Sequence, residues 1–400
     1  MIFIDPPTWP GHGRLWSHMV SDTSYAELHA FATSLGIPPR AFERDHYDVI
    51  AERYEAVVAA GAHRATSREI VAVLHRAGLR RRHRSALAPP LGRVWPRPLV
   101  PGDLVAVTAP SGPVAADRLA PGVALLESWG LRVRLQPRVL GAYQPLTYLA
   151  SDDHGRVDDF TTAWTDPSVT AVWAARGGYG AQRMVDLVDW SALREAGRKW
   201  LVGFSDITAL HSRLGRDLDQ VTVHGPVLGS AGQLGDEESV AALRALIMET
   251  PAVGTPLVQG RSAVPGVGQG RLVGGNLSLI AADVGVEPPP EVSAVAVFED
   301  VGEDGYRIDR MLTQLLRSRW FDQVTGVVVG EFSPIAGASP SSSGLAAAVI
   351  ADRLERLRIP VITDVAVGHG TRNLALPLGA AVTLASGPPG APGTLLLASS

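Results

Sequence analysis

The sequence predicts an α/β protein built around a parallel sheet, with a small separate α/β module in front of it. Three observations carry this expectation. Short apolar strands alternate with helix patterns over most of the chain, the signature of a parallel sheet covered on both faces. The composition, 46% hydrophobic and 19% charged over 400 residues, is enough for sizeable cores and suggests two to three domains. A basic, proline-rich stretch separates two parts of opposite charge. Residues 1–86 hold 11 Arg against 9 acids, a net of +2, and the remainder holds 25 against 31, a net of −6.

In the first part, Ile2-Phe3-Ile4 reads as a short strand. Tyr25 to Leu35, Val49 to Ala60 and Ser67 to Ala77 show helical spacing, with Ser24 and Thr66 as caps. Arg80-Arg81-Arg82-His83-Arg84 and the Pro-containing residues after it read as a solvated linker, because like charges repel and prolines without apolar periodicity do not pack. The expected boundaries are 1–86 for the module and 87–96 for the linker. Two further lobes are expected, at 97–255 and 265–400.

In the second part, Leu104–Thr108, Val169–Ala174 and Trp200–Gly203 are strands. Helices are expected at Leu119–Trp129, Ala181–Val188 and Ile207–Leu214. The Gly/Pro-rich stretch Pro251–Gly270 reads as a connection between lobes. Beyond it, Val295–Phe298, Gly326–Gly330 and Pro360–Ile362 are strands, with helices at Arg307–Ser318 and Gly344–Leu357. Ala381–Ala385 and Thr394–Leu397 read as a terminal hairpin.

Composition also excludes chemistry. There is no cysteine, so disulfides, thiolate metal sites and a cysteine nucleophile are out. The net charge of −4 disfavours a general nucleic-acid binder. No apolar run reaches the roughly 18 residues of a membrane helix, and the N-terminus lacks the pattern of a signal peptide, so a cytoplasmic protein is expected. Only Lys199 among the 36 basic residues is a lysine, which lowers the weight of any arginine cluster.

The most informative segment is Trp200-Leu201-Val202-Gly203-Phe204-Ser205-Asp206-Ile207-Thr208, an apolar strand entering a Gly-x-Ser turn and leaving as a helix. Such a turn can lift the Ser205 hydroxyl above the sheet and aim the Asp206 N–H at a developing oxyanion. The alternative is a plain helix cap. Arg176-Gly177-Gly178-Tyr179-Gly180 ends another strand; it reads as an oxyanion donor, a phosphate cradle or a structural turn, and it lacks the Lys-Ser/Thr of a P-loop. A serine nucleophile needs a base. His224 ends a strand and His369 sits between two glycines after one; composition alone does not separate them. Glu299 and Asp300 follow an apolar strand and could orient a histidine, bind a metal or pair with Arg307 and Arg310.

Assembled in order, these residues resemble the LD-carboxypeptidase family of serine peptidases, which includes the microcin C immunity peptidases. The matching segments are Pro101-Gly102-Asp103-Leu104 to Ser111, Tyr148–Asp153, Ala175–Gly180, Gly203–Thr208 and His224-Gly225-Pro226. They continue with Gly274-Gly275-Asn276-Leu277-Ser278, Phe298–Glu303, Tyr306–Arg310 and Gly368-His369-Gly370 with Asn373, Pro377 and Gly379. The resemblance implies a Rossmann-like lobe followed by a smaller β-rich lobe. It implies a triad of Ser205 as nucleophile, His369 as base and Glu299 as orienting acid, choosing His369 over His224. It further implies an oxyanion hole from the backbone of Gly177, Gly178 and Asp206, a substrate contact from Asn276, no metal or other cofactor, and a homodimer. The implied reaction removes the terminal D-alanine from the L,D bond of murein tetrapeptides during cell-wall recycling. No nucleic acid or membrane partner is implied. Phe204 departs from the tyrosine common at its position, and Asp304-Gly305 from the usual spacing before Tyr306.

Residues 1–86 resemble a small uncharacterised bacterial domain through Asp5-Pro6-Pro7, Trp9-Pro10, His12-Gly13-Arg14, Trp16-Ser17-His18, Glu27-Leu28-His29 and Asp45-His46-Tyr47-Asp48. Seven of the 11 histidines lie there: His12, His18, His29, His46, His63, His75 and His83. Recurring His and Asp suggest metal ligation or acid–base chemistry, or else polar contacts that hold a loop-rich domain together. The spacing fits no zinc pattern. Three readings of function follow: a murein peptidase, an immunity-type peptidase acting on peptidyl- or aminoacyl-nucleotides with the same triad, and a protein whose chemistry lies in the first module.

Overall fold

The fold is that of a computed structural model, which describes residues 1–11, 13–43, 45–77, 79, 92–249, 251–333 and 340–399. The basic run Arg80–Arg84 and the first half of the expected linker lie outside the described residues. The chain divides into two compact units, Met1–Leu87 and Ala88–Ser400.

The first unit is a small α/β sheet module. Its strands are β1 (Ile2–Ile4), β2 (Trp9–Gly11), β3 (Arg14–Ser21), β4 (Phe42–Glu43), β5 (His46–Ile50) and β6 (His63–Arg64), in the order β4-β5-β3-β1-β6 with β2 paired to β3. Helices Tyr25–Ser34, Tyr54–Ala59 and Ser67–Arg76 accompany the sheet. Ser24 caps the first, accepting from the Glu27 N–H at 3.1 Å. At the third, Thr66 and Glu69 form a reciprocal capping box, since the Thr66 N–H donates to Glu69 at 2.7 Å and the Glu69 N–H to Thr66 at 3.3 Å. The helix expected over Val49–Ala60 is corrected. Val49 and Ile50 finish β5, and only Tyr54–Ala59 is α-helical. Tyr47 and Val49 alternate into the core beside Met19, so the two-residue period of a strand wins over helical spacing.

The second unit has two lobes. In the first lobe β7 (Leu104–Thr108), β8 (Arg132–Leu135), β9 (Val169–Ala174), β10 (Trp200–Gly203) and β11 (Thr222–His224) form a parallel sheet in the order β8-β7-β9-β10-β11. This is a doubly wound, Rossmann-like arrangement. Alternate residues feed two cores. Val105, Val107, Trp173 and Val202 enter one, and Ala106, Val172, Ala174 and Leu201 the other. Helices Ala116–Ser128, Asp153–Thr165 and Thr208–Leu218 are among those that cover the sheet.

The second lobe is a closed barrel of β12 (Pro256–Val264), β13 (Gly266–Asn276), β14 (Ala294–Val301), β15 (Val324–Ser333), β16 (Val361–Thr363), β18 (Ala381–Ser386) and β19 (Pro392–Leu397). Along β14 the alternation is clean. Val295 and Val297 fill the barrel, while Ala296 and Phe298 face the helices Leu277–Ala282 and Gly305–Arg317. The remaining strand, β17 (Leu376–Leu378), leaves the barrel and pairs antiparallel with β11, completing the sheet of the first lobe.

Two boundaries are corrected. The connection expected at Pro251–Gly270 contains β12 and the start of β13, so the barrel begins at Pro256 rather than at 265. Glycine is used here for close packing: a Cβ on Gly260 would lie 2.5 Å from the Thr363 carbonyl and one on Gly268 2.4 Å from that of Thr325. The end of the expected 87–96 linker is also structured. The Val94 N–H donates to the Asp219 carbonyl at 3.1 Å, and Trp95 packs edge-on to Trp200 with centroids 6.1 Å apart. Among the described residues no helix is long and apolar enough to cross a membrane.

Candidate active site

Strand β10 is buried throughout and ends at Gly203, where the chain must turn sharply to enter the helix above the sheet. Gly203 permits this, because a Cβ there would meet Ala174 and Ile207 at 3.0 Å. Ser205 takes up the strain with φ 63°. A left-handed non-glycine residue is unfavourable by roughly 1–3 kcal/mol and persists only where its surroundings fix it. Buried Ile207 and Leu210 of the following helix provide that fixing. The plain-cap alternative is therefore set aside: Ser205 caps nothing, and its hydroxyl points elsewhere.

That hydroxyl stands 3.0 Å from His369 Nε2. His369 Nδ1 is 2.7 Å from Glu299 Oε2. A carboxylate only accepts, so Nδ1 carries the proton and donates it, leaving the Nε2 lone pair to accept from Ser205. Glu299 is fully buried. It continues the inward alternation of Val295 and Val297 at the end of β14, so strand periodicity aims it at the barrel mouth. Burial pushes the Glu299 carboxyl up, and its bond to His369 opposes this. Burial alone would depress the His369 imidazole, but the Glu299 hydrogen bond and charge hold it above the usual imidazole range.

The neighbouring carboxylate is handled differently. Strand alternation carries Asp300 to the face of Ala296 and Phe298, away from Glu299. Asp300 accepts from Asn276 Nδ2 at 3.0 Å, the Ser278 N–H at 2.9 Å and Ser278 Oγ at 2.7 Å. Of the options open to Asp300, the structure shows hydrogen bonds rather than a pair with Arg307, and Glu303 is the residue near Arg307, at 3.6 Å. Asn276, expected as a substrate contact, lies beside the Asp300 carboxylate. It is buried, with Oδ1 accepting from the Leu279 N–H and Nδ2 donating to Asp300, and it also hydrogen-bonds Glu299, so it links the two acidic side chains at the end of β14.

Three loops converge beneath Ser205. The buried Asp206 carboxylate accepts from Ser111 Oγ at 2.5 Å and from the Ala181 N–H at 2.7 Å, joining the turns after β7, β9 and β10. Burial raises the Asp206 carboxyl and these bonds work against it. Gly177 lies against the serine, since a Cβ there would stand 3.0 Å from Ser205 Cβ and 3.2 Å from Oγ. Gly178 adopts φ 114°, which a side chain would resist. The arrangement brings the Gly177-Gly178 turn and the Asp206 backbone beside the hydroxyl.

The histidine loop is held from the first lobe. Gln233 Nε2 donates to the carbonyls of Gly368 at 2.8 Å and Gly370 at 3.0 Å, while the Gly368 N–H donates to Asn373 Oδ1 at 3.0 Å. The Phe204 ring packs on the imidazole at 4.8 Å between centroids. Sequence reasoning missed Gln233, because its partners are backbone carbonyls far along the chain and leave no motif. It also missed Thr208, whose Oγ1 accepts from the Asn276 N–H at 3.0 Å and ties the serine helix to β13. Gly275 was the available signal there: a Cβ would lie 2.6 Å from that oxygen.

The other histidines of this unit do other things. His224 is fully buried beside Phe204, and burial drives its pKa down to about 3. His211 donates Nε2–H to the Gly203 carbonyl at 2.9 Å, and burial brings it down to about 4. His154 is exposed at the start of a helix. A hydroxyl, a base and a buried acid in line, with backbone N–H groups close by, can support attack on a carbonyl carbon.

Comparison with known proteins finds relatives over most of the chain. Residues 105–225 match the LD-carboxypeptidase N-terminal domain and residues 269–384 the LD-carboxypeptidase C-terminal domain. Residues 2–77 match a protein family of unknown function, DUF4031. A relative in Streptomyces coelicolor is 43% identical over 291 residues, 72% of this chain and 91% of that protein. The murein tetrapeptide carboxypeptidase of Pseudomonas aeruginosa is 31% identical over 289 residues, 70% of this chain and 92% of that enzyme. The crystal structure of the muramoyltetrapeptide carboxypeptidase from Oxalobacter formigenes superposes with a TM-score of 0.63 at 27% identity, over 74% of this chain and 99% of that one. An MccF-like protein from Bacillus anthracis, at 22% identity, shares the fold with a TM-score of 0.68 over 77% of this chain and 100% of its own. The chain belongs to the LD-carboxypeptidase family, and it is a serine-type carboxypeptidase preceded by a domain of unknown function.

Proposed function

We propose that the enzyme releases the terminal D-alanine from the L,D bond of murein tetrapeptides, with Ser205 as nucleophile, His369 as base and then acid, and Glu299 holding the imidazole. The observation that carries this reading is the line from Ser205 Oγ through His369 to Glu299, at 3.0 Å and 2.7 Å, with the serine on a left-handed turn. The substrate class is argued from the name of the Pseudomonas aeruginosa relative.

Ser205 Oγ attacks the scissile carbonyl carbon as its proton passes to His369 Nε2. The imidazolium formed is stabilised by the buried Glu299 carboxylate. Negative charge on the carbonyl oxygen is met by the backbone N–H groups of the Gly177-Gly178 turn and Asp206. His369 then gives its proton to the departing amine of D-alanine, leaving an acyl-serine. Water, deprotonated by the same imidazole, hydrolyses the ester and returns the proton to Ser205. In this reading the reaction serves cell-wall recycling.

The test is to incubate the pure protein with a murein tetrapeptide and follow its mass. Loss of one alanine, abolished in Ser205→Ala, is expected. Full activity of Ser205→Ala would overturn the assignment of roles. An intact tetrapeptide beside a cleaved aminoacyl-nucleotide would move the substrate to the immunity type and leave the roles standing.

A further inference from the structure

The first unit contains a second cluster of imidazoles and carboxylates, and its placement follows from the strand register. His18 on β3 stands directly opposite Asp48 on β5, and His46 lies two residues before Asp48 on the same strand. Met19, Tyr47 and Val49 point into the hydrophobic core. Strand alternation therefore sends His18, His46 and Asp48 together to the other face. One ligating atom from each lies within 4.8 Å of the other two, and the imidazole rings of His18 and His46 are 4.8 Å apart.

Each imidazole is fixed from behind by a buried carboxylate. His18 Nδ1 is 3.1 Å from Asp5 Oδ2, and His46 Nδ1 is 2.7 Å from Asp45 Oδ1. Asp5 is fully buried and itself held by the His18 N–H at 2.5 Å, Ser67 Oγ at 2.6 Å and Trp9 Nε1 at 3.2 Å. A carboxylate behind the far nitrogen of a histidine orients the other nitrogen and raises its basicity, the arrangement found around metal-bound imidazoles. His46 Nε2 lies 3.2 Å from Asp48 Oδ1. Two ligands at about 2.0–2.2 Å from a tetrahedral ion stand roughly 3.3–3.5 Å apart, so this pair has close to the spacing of a bound ion's ligands. The side chains of His18, His46 and Asp48 are 25%, 17% and 39% exposed, so the cluster opens to solvent on one side, beside the exposed Trp9 ring.

We infer that His18, His46 and Asp48 form a binding site for a divalent transition-metal ion of the zinc class, with at least one coordination position open to a further ligand. Two nitrogen donors favour Zn²⁺ or Co²⁺ over Mg²⁺ or Ca²⁺, which take oxygen ligands. Three protein ligands with an open position is the pattern of a metal that acts on something, whereas a purely structural ion is enclosed by four.

The test uses the untagged full-length chain, stripped of metal and titrated with Co²⁺ and Zn²⁺. One equivalent of Co²⁺ with a visible d–d absorption band, displaced by Zn²⁺, is expected. His46→Gln and Asp48→Asn should abolish the band while far-ultraviolet circular dichroism stays unchanged. Asp5→Asn, behind the ligand, should weaken binding roughly tenfold to a hundredfold. The half-exposed Asp48 makes Asp48→Asn the variant least able to disturb the fold. Absence of stoichiometric binding to the unmodified chain, a preference for Mg²⁺, or binding that survives both ligand substitutions would overturn the assignment and leave the cluster as polar contacts holding β3 to β5.

Discussion

Among the described residues the same pairing, a buried carboxylate behind an imidazole, is found once in the peptidase unit and twice in the first unit. Glu299 backs His369, and Asp5 and Asp45 back His18 and His46. The difference lies in what the forward nitrogen meets. His369 Nε2 faces a hydroxyl on a strained turn, which suits proton transfer. The forward nitrogens of His18 and His46 gather with a third carboxylate, which suits a cation. The backing acid prepares an imidazole, and the neighbour in front decides its chemistry.

The largest effect should come from removing the neighbour. Ser205→Ala is expected to lower kcat about a millionfold, the scale seen when a serine nucleophile is deleted, measured by alanine release. Next comes the backing acid. Glu299→Gln should lower kcat roughly 10⁴-fold, because the amide cannot stabilise the imidazolium. The sign of its pH effect is fixed by the same bond. The base works when neutral, and Glu299 holds His369 above the usual imidazole range, so the acidic limb of kcat/KM lies above that range. Without the carboxylate charge, burial dominates and the limb moves to lower pH; a limb that stays put would separate His369 from the rate.

A smaller change should follow from crowding the serine. Gly177→Ala places a methyl 3.0 Å from Ser205 Cβ, and a loss of about 10²–10³-fold in kcat with little change in KM is expected. The smallest effect sharpens the contrast between units. His46→Gln should leave kcat/KM for the peptide unchanged, and a matching fall in peptidase activity would mean that the two imidazole systems are coupled.

Much of the peptidase unit was legible because its glycines sit where strands stop. Gly203, Gly177-Gly178 and Gly368 flag turns at which side chains can face a ligand, and family resemblance then selected His369 over His224. In the structure His224 is sealed in the core, whereas His369 lies 3.0 Å from the Ser205 hydroxyl. Less legible were features created by pairing. Glycines in β12 and β13 resemble a connection until the neighbouring strands that demand them are known. Likewise β3 and β5 look polar and irregular in sequence, and only their register brings His18 and Asp48 face to face. The bonds of Asn276 were not legible either, because the start of a helix takes up its oxygen and a carboxylate 24 residues on takes up its nitrogen.

Strand β17 has a consequence for how the enzyme comes into being. Leu376–Leu378 reaches back to close the edge of a sheet whose other strands end by His224, and the loop carrying His369 comes just before it. On the ribosome, Ser205 and its turn emerge long before the residues that anchor the imidazole. A nascent chain thus carries the Ser205 hydroxyl without its proposed base until His369, 164 residues further on, has been made. Under the proposed mechanism, hydrolytic competence therefore waits for the strand that β17 adds to the first lobe.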